Sequence, residues 1–366
     1  MLKRLYADNF RCLENFEIRF GESNLLLGRN GTGKTSVFDV LRKIQDLVVR
    51  GLKVDQVFPA YDLSANHLRN EQRFEIDTQS EDDSYSYVLV IEHTVARDKM
   101  KVLHEALKHN EHPVFEFNDG DARLYRDDYT EGPLVPFDWG QSGVGFLNER
   151  SDNQKLTRFK KDAANFVIAS PCPPIMATET RTEDEYLDPL MRNFVGWYRR
   201  AAQENMGSIG RLFNALQDVL PGFESVNLTE AGENSRALKV VLSTPSGTRA
   251  NHSFDQLSDG QRVLIALYSL LHLSSGRRVS MFLDEPDNYL TLSEVQPWLA
   301  EAVQSCGDSI DQLVVASHHP HTIDYMAGAS GLWFSREETG PARVSERPAN
   351  TVDGLSISET VARGWE

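Results

Sequence analysis

NLLLGRNGTGKTSVFDVLRKIQDLV, Asn24–Val48, passes from an unbroken apolar run through a glycine-rich loop into a segment of helical period. The apolar run reads as a strand buried on both faces. Beyond Ser36, residues Val37, Val40, Leu41, Ile44, Leu47 and Val48 recur at helical spacing, so a helix follows. Between them, Gly28–Ser36 satisfies GxxxxGK[ST] in full, and a strand before with a helix after is the context that pattern requires. Glycines let backbone N–H groups turn inward around phosphate oxygens, and the helix start adds a positive dipole end. Arg29, Asn30, Gly31, Thr32, Gly33, Lys34, Thr35 and Ser36 are therefore expected to cradle a nucleoside triphosphate. Lys34 would reach the outer phosphates, and the Thr35 hydroxyl would ligate Mg²⁺.

Two further apolar strands end in chemistry-bearing residues. RRVSMFLDEPDNYL contains a buried strand, Val279 to Leu283, that runs into two carboxylates. Strand ends are where α/β sheets place reactive groups. Asp284 suits a magnesium shell, and Glu285 suits a general base for an attacking water. QLVVASHHPH ends in Ser317 and His318, and a histidine there can hydrogen-bond a terminal phosphate or the water. His318, His319 and His321 also invite a metal-site reading, but no carboxylate or cysteine stands at ligand spacing.

The remaining chain separates into blocks. LKRLYADNF and ENFEIRF alternate as half-buried strands at the start, and the pieces between 73 and 150 read as an antiparallel β segment broken by Gly, Asn and Asp. Residues from about 182 to 220 read as helical, with Pro221-Gly222 as a stop, and ALKVVLSTPSGTRANHSF reads as a hairpin.

Composition narrows the class. The chain has 366 residues, 40% hydrophobic and 25% charged, as a globular protein with a proper core does. No apolar run is long enough for a bilayer, and no leader pattern opens the chain, so no membrane partner is expected. Cys12, Cys172 and Cys306 are too scattered for a disulfide framework, and a reducing cytoplasm is the expected compartment. A net charge of −16 does not announce a nucleic-acid binder, although Lys155, Arg158, Lys160 and Lys161 form a local basic group. Such a group is most often a solvated face.

One stretch takes its meaning from the others. LSDGQR, Leu257–Arg262, sets a small polar loop before an apolar helix. Ser or Asp before such a helix is an ordinary capping pattern. Yet phosphate loop, Ser-x-Gly-Gln, Asp-Glu at a strand end and a strand-end His occur here in the order of the ABC-type ATPases, and LSDGQR resembles their signature motif. With its opening NFR between two strands, the chain is similar to the SMC/RecF/OLD-like branch over nearly its whole length.

That resemblance implies an α/β fold: an ABC-type ATPase head with a P-loop core sheet, an antiparallel β lobe and a helical insertion. It implies a nucleotide-binding core from 1–60 and 255–345, a β-rich insertion over 61–170, and a helical insertion with return hairpin over 171–254. It implies ATP and Mg²⁺ as cofactors and a head-to-tail homodimer. In that dimer Ser258, Gly260 and Gln261 of one subunit would complete the γ-phosphate cage of another. Three departures bear on the branch. NYLTLSE lacks the Leu-Asp of a transporter D-loop, no sustained heptads form a coiled-coil arm, and the residues after His318 are too few for a Toprim nuclease. The expected role is a nucleotide-driven switch that controls a separate effector such as a nuclease or toxin, in anti-phage defence. A RecF-like DNA-sensing ATPase is the alternative, and it leaves direct DNA binding open. Arg11, in NFRCL, is expected near the nucleotide.

Overall fold

The computed structural model describes residues 1–65, 69–80, 83–94, 99–274, 277–346 and 355–363. The chain divides into two compact units, 1–166 with 330–349 and 167–329 with 350–366.

The first unit opens with β1 (Leu2–Asp8), β2 (Phe16–Arg19) and β3 (Ser23–Leu27), followed by helix α1 (Lys34–Val48) and the short turn α2 (Val54–Val57). Long antiparallel strands come next: β4 (Glu71–Ser80), β5 (Asp83–Thr94), β6 (Lys99–His109), β7 (His112–Asn118), β8 (Asp121–Tyr125) and β9 (Glu131–Pro136). They extend β1 and β2 into an eight-stranded sheet of order β2-β1-β4-β5-β6-β7-β8-β9. The alternation of β4, with Gln72, Phe74, Ile76, Thr78 and Ser80 buried, is the period-2 signature of a sheet with one covered face. Helices α3 (Gly143–Phe146) and α4 (Gln154–Ala164) follow. Phe159 of α4 lies 5.5 Å from the Tyr87 ring and 5.8 Å from that of Tyr85. The Gln45 side chain on α1 donates to the carbonyls of Ala163 and Phe166, both at 2.8 Å, and ties α1 to the end of α4. The six apolar positions expected of the first helix are all buried in α1.

Strand β10 (Phe166–Ala169) leads into the second unit. There β11 (Glu179–Thr180), helices α5 (Phe194–Glu204) and α6 (Ile209–Val219), and strands β12 (Phe223–Glu230), β13 (Arg236–Ser243) and β14 (Arg249–Ser253) precede α7 (Asp259–Leu273). Strand β13 pairs with β12 on one side and with β11 and β14 on the other. Then come β15 (Ser280–Asp284), α8 (Leu292–Gln304), β16 (Gln312–Ala316) and α9 (Pro320–Ser330). β15 and β16 run parallel, with Asp284 opposite Ala316. The chain returns to the first unit with β17 (Gly331–Ser335), parallel to β3, and β18 (Arg343–Ser345), antiparallel to β17. The last helix, α10 (Ile357–Ala362), belongs to the second unit.

One expectation fails locally. Residues 182–193 are irregular, and the helix begins only at Phe194. Pro189 restricts Asp188 to extended backbone. The Asp188 carboxylate accepts from the backbone N–H groups of Leu190 and Arg192, and Met191 sits at φ 57°. The Asn193 side chain accepts from Asp188 N at 2.7 Å and donates to the Tyr186 carbonyl. Polar side chains have taken the backbone partners that a helix would have used. Among the described residues, no helix is long and apolar enough to cross a membrane.

Candidate functional site

The phosphate loop lies in the first unit, between the buried end of β3 and α1. Gly28, Gly31 and Gly33 all have positive φ, at 136°, 80° and 107°. Two of them are fixed by contact as well as by backbone angle. A Cβ at Gly28 would stand 2.3 Å from the Phe334 carbonyl oxygen, and one at Gly33 would stand 3.0 Å from Cys12 Sγ. At Gly31 nothing lies within 4 Å, so only its dihedral demands glycine there. The Thr32 hydroxyl donates to Arg29 O at 2.8 Å and closes the turn. The Lys34 ammonium donates to Gly28 O at 2.5 Å and to Arg29 O at 3.1 Å, which curls it over the loop. From outside, Arg336 donates to Gly31 O at 3.1 Å while its Nε holds Gly340 O at 2.7 Å.

Helix α1 begins without a side-chain cap, because Gly33 occupies the N-cap, and no acidic residue stands in its first turn. The positive end of the dipole and the glycine-supplied N–H groups are thus left to an anion. Arg29, Asn30, Gly31 and Thr35 are exposed, whereas Thr32, Gly33, Lys34 and Ser36 are buried. These residues suit a nucleotide phosphate chain. Arg11 is held by its own unit: its guanidinium bonds Asp39 at 2.5 Å and Asp62 at 2.8 Å.

The other expected residues lie in the second unit. Glu285 follows the end of β15 at φ 48°, an uncommon angle for a residue with a side chain. Its backbone N–H donates to Ala316 O at 2.7 Å, which stitches the end of β15 to the end of β16. Asn288 donates to one oxygen of the Glu285 carboxylate, and His318 Nε2 is 3.9 Å from the other. The two residues expected to handle a water and its proton therefore face one another, each about one-third exposed (35% for Glu285, 37% for His318).

What holds this pair was not singled out in the sequence. Asp287 is buried, and its Oδ2 accepts from Ser317 Oγ and Thr322 Oγ1, both at 2.6 Å. Ser317 Oγ accepts in turn from His319 N at 2.9 Å. One carboxylate oxygen clamps both ends of the loop that carries His318. The signal was present in DEPDN, whose second Asp lies three residues after Asp284, but only the fold shows its partners.

In LSDGQR, Ser258 is the N-cap of α7. Its hydroxyl accepts from Gln261 N at 3.3 Å, and Gln261 Oε1 accepts from Ser258 N at 3.0 Å. This is a reciprocal capping box. A hydroxyl that accepts still has its own proton to donate, so capping does not consume Ser258. A Cβ at Gly260 would stand 2.9 Å from the Tyr289 carbonyl, so that glycine lets the loop after β15 close on the start of α7. Arg262 anchors the helix start through Asp259 at 2.5 Å and Pro173 O at 2.7 Å.

Residues 1–170 match the AAA ATPase domain family. A stretch of 69 residues is 41% identical to the OLD nuclease of Thermus scotoductus, and covers 17% of this chain but 12% of that protein. The whole fold is similar to the SMC head domain from Thermotoga maritima, with a TM-score of 0.50 and 13% identity over 94% of this chain and 98% of that one. It is also similar to the SmcHead crystallised with the C-winged helix domain of ScpA, with a TM-score of 0.57 and 13% identity over 99% of both chains. Residues 1–170 thus resemble an AAA ATPase domain, and the fold of the chain is that of the SMC heads.

The basic group of this chain is spoken for within its own unit. Lys155 donates to Asp127 O and sits 3.8 Å over the Tyr129 ring. Arg158 bonds Asp162 and Ser80. Lys160 bonds the carbonyls of Gly145 and Leu147, and its burial lowers its pKa from the usual lysine value. Lys161 pairs with Glu149 at 3.1 Å. These side chains secure α4 and its neighbouring loops.

Proposed function

We propose that this ATPase head binds ATP with Mg²⁺, hydrolyses it, and uses the cycle as a switch in a head-to-tail dimer. Arg29 to Ser36 hold the phosphates, with Lys34 on the outer ones. Thr35 and Asp284 hold the magnesium ion, which neutralises phosphate charge. Glu285 takes the proton of the attacking water, and His318 hydrogen-bonds the water or the terminal phosphate. Ser258, Gly260 and Gln261 act on a nucleotide held by the other subunit, with the Ser258 hydroxyl and the start of α7 as donors.

The observation that carries this reading is the Glu285–His318 pair, 3.9 Å apart and held by the buried Asp287 clamp. Such a pair has a use in moving a proton beside a phosphate, and the chain supplies a phosphate cradle with no acidic residue in its first helical turn. A cytoplasmic setting and a separate effector, such as a nuclease or toxin of an anti-phage system, belong to the same reading. The OLD nuclease relative supports a nuclease connection, since the word stands in that protein's name. Direct DNA sensing draws no support from Lys155, Arg158, Lys160 and Lys161, which bond within their own unit.

Glu285→Gln tests it. The variant keeps the carboxylate's shape but not its basicity. ATP affinity should stay near that of the unaltered protein, while phosphate release falls about a hundredfold or more. Phosphate release at the unaltered rate would remove Glu285 from the role of base.

A further inference from the structure

A second place on the chain gathers arginines around one cavity. In the second unit, a cavity of about 460 Å³ is lined by Arg181, Arg199 and Arg236 together with Glu230, Gly232, Asn234 and Ser235. Three elements bring the arginines together. Arg181 directly follows β11, whose Thr180 pairs with Arg236 on β13, and Arg199 stands on α5. The rest of the lining comes from the β12–β13 turn.

Carboxylates answer two of the three charges. Arg199 meets Glu183 at 2.9 Å, and Arg236 meets Glu230 at 3.0 Å. Glu179 accepts from the Ser235 hydroxyl at 3.0 Å, and Glu233 also stands in the β12–β13 turn. Arg181 is exposed, and its guanidinium has no hydrogen-bond or ion-pair partner among the described residues. The Glu230 side chain is 82% exposed, and an ion pair so open to water is weak and easily exchanged. Three guanidinium forks around one cavity match the oxygens of clustered phosphates, which they can grip in pairs. On a chain of net charge −16 the overall field repels anions, so an arginine-lined cavity is a local exception to that field.

We propose that this cavity binds a phosphate-bearing small molecule of nucleotide size, separately from the phosphate loop. The volume lies in the range of small-ligand sites, which is about 300–1,000 Å³. Arg181 supplies the uncommitted cation, Arg236 is released to the ligand as Glu230 swings into solvent, and Arg199 and Asn234 complete the polar wall.

The test is a calorimetric titration of the full chain with inorganic tripolyphosphate, on four proteins: unaltered, Lys34→Ala, Arg181→Gln and the double variant. Arg181 is exposed and has no partner among the described residues, so Arg181→Gln should melt at the unaltered temperature. The unaltered protein should bind two equivalents and Lys34→Ala one. In the Lys34→Ala background, Arg181→Gln should weaken the remaining site about tenfold or more. If Lys34→Ala leaves no saturable binding, or if Arg181→Gln leaves the remaining affinity unchanged, the cavity proposal is overturned. If instead Lys34→Ala changes nothing and Arg181→Gln abolishes the binding seen, the cavity stands and the phosphate-loop reading falls. Adenosine triphosphate and a single-stranded oligonucleotide provide the closing arms. Retained binding of the nucleotide at the Lys34-independent site supports the small-molecule assignment, and binding there of the oligonucleotide alone refutes it.

Discussion

Helices α1 and α7 are each 15 residues long, and each starts from a small polar loop, yet the two starts are finished in opposite ways. At α1 the N-cap is Gly33, in left-handed backbone, and no side chain closes the first turn. At α7 the N-cap is Ser258, which exchanges hydrogen bonds with Gln261, and Asp259 adds an acidic side chain to the first turn. A helix end without a cap is normally a loss of stability, because its first N–H groups lack partners inside the helix. The α1 start is therefore shaped for an anion that arrives from outside. The α7 start is self-sufficient in a lone chain and keeps one hydroxyl proton to offer. In the proposed reading, the first end is a receptor, and the second is a stable helix that lends a donor to a neighbouring copy.

That contrast breaks most visibly at Lys34. Lys34→Ala removes the loop's ammonium and should weaken ATP binding about a hundredfold, the scale of two charge-assisted hydrogen bonds. A titration that finds near-normal ATP affinity in this variant would erase the distinction between the two helix starts. Asp287→Ala should cost less in binding and more in stability. It leaves the buried Ser317 and Thr322 hydroxyls without their acceptor, at about 3 kcal/mol by chemical denaturation, and it should slow hydrolysis by freeing the His318 loop. Unchanged stability would mean that the clamp has a substitute. The smallest effect belongs to Ser258→Ala, which loses an N-cap and should cost about 1 kcal/mol with ATP affinity untouched. If ATP affinity falls with it in a dilute monomer, Ser258 does more for its own chain than cap α7.

How far the sequence spoke depended on how local each feature is. The phosphate loop needs only nine consecutive residues and the periods on either side of them, and Gly28–Ser36 stands where that pattern put it. The capping box at Ser258 is equally local, and so is the burial of the six apolar positions of α1. Residues 182–193 misled because an apolar spacing was visible while the turn made by Asp188, Pro189 and Asn193 was not. Asp287 and Arg336 escaped notice for another reason. Asp287 acts on Ser317 and Thr322, some thirty residues away in the chain, and Arg336 reaches back to Gly31. Neither partner can be named until strands distant in sequence lie side by side. The basic residues of α4 show the same limit, since a charge run does not reveal the carbonyls and carboxylates that it will meet.

If α7 serves a nucleotide held by another copy of the chain, as proposed, then mixing two defective proteins reveals it. Ser258→Arg should keep ATP binding at its own phosphate loop yet fail to hydrolyse, and Lys34→Ala should fail at both. In a head-to-tail pair of the two, one site combines an intact Lys34 with an intact Ser258 while the other carries both defects. Joining the subunits in one polypeptide fixes the pairing, and a linked dimer with a single unaltered site provides the reference rate. The mixed dimer should recover ATP hydrolysis at a rate approaching that reference, although neither parent turns over. If the reference dimer hydrolyses ATP and the mixed dimer stays as inactive as its parents, Ser258 is only the cap of its own helix.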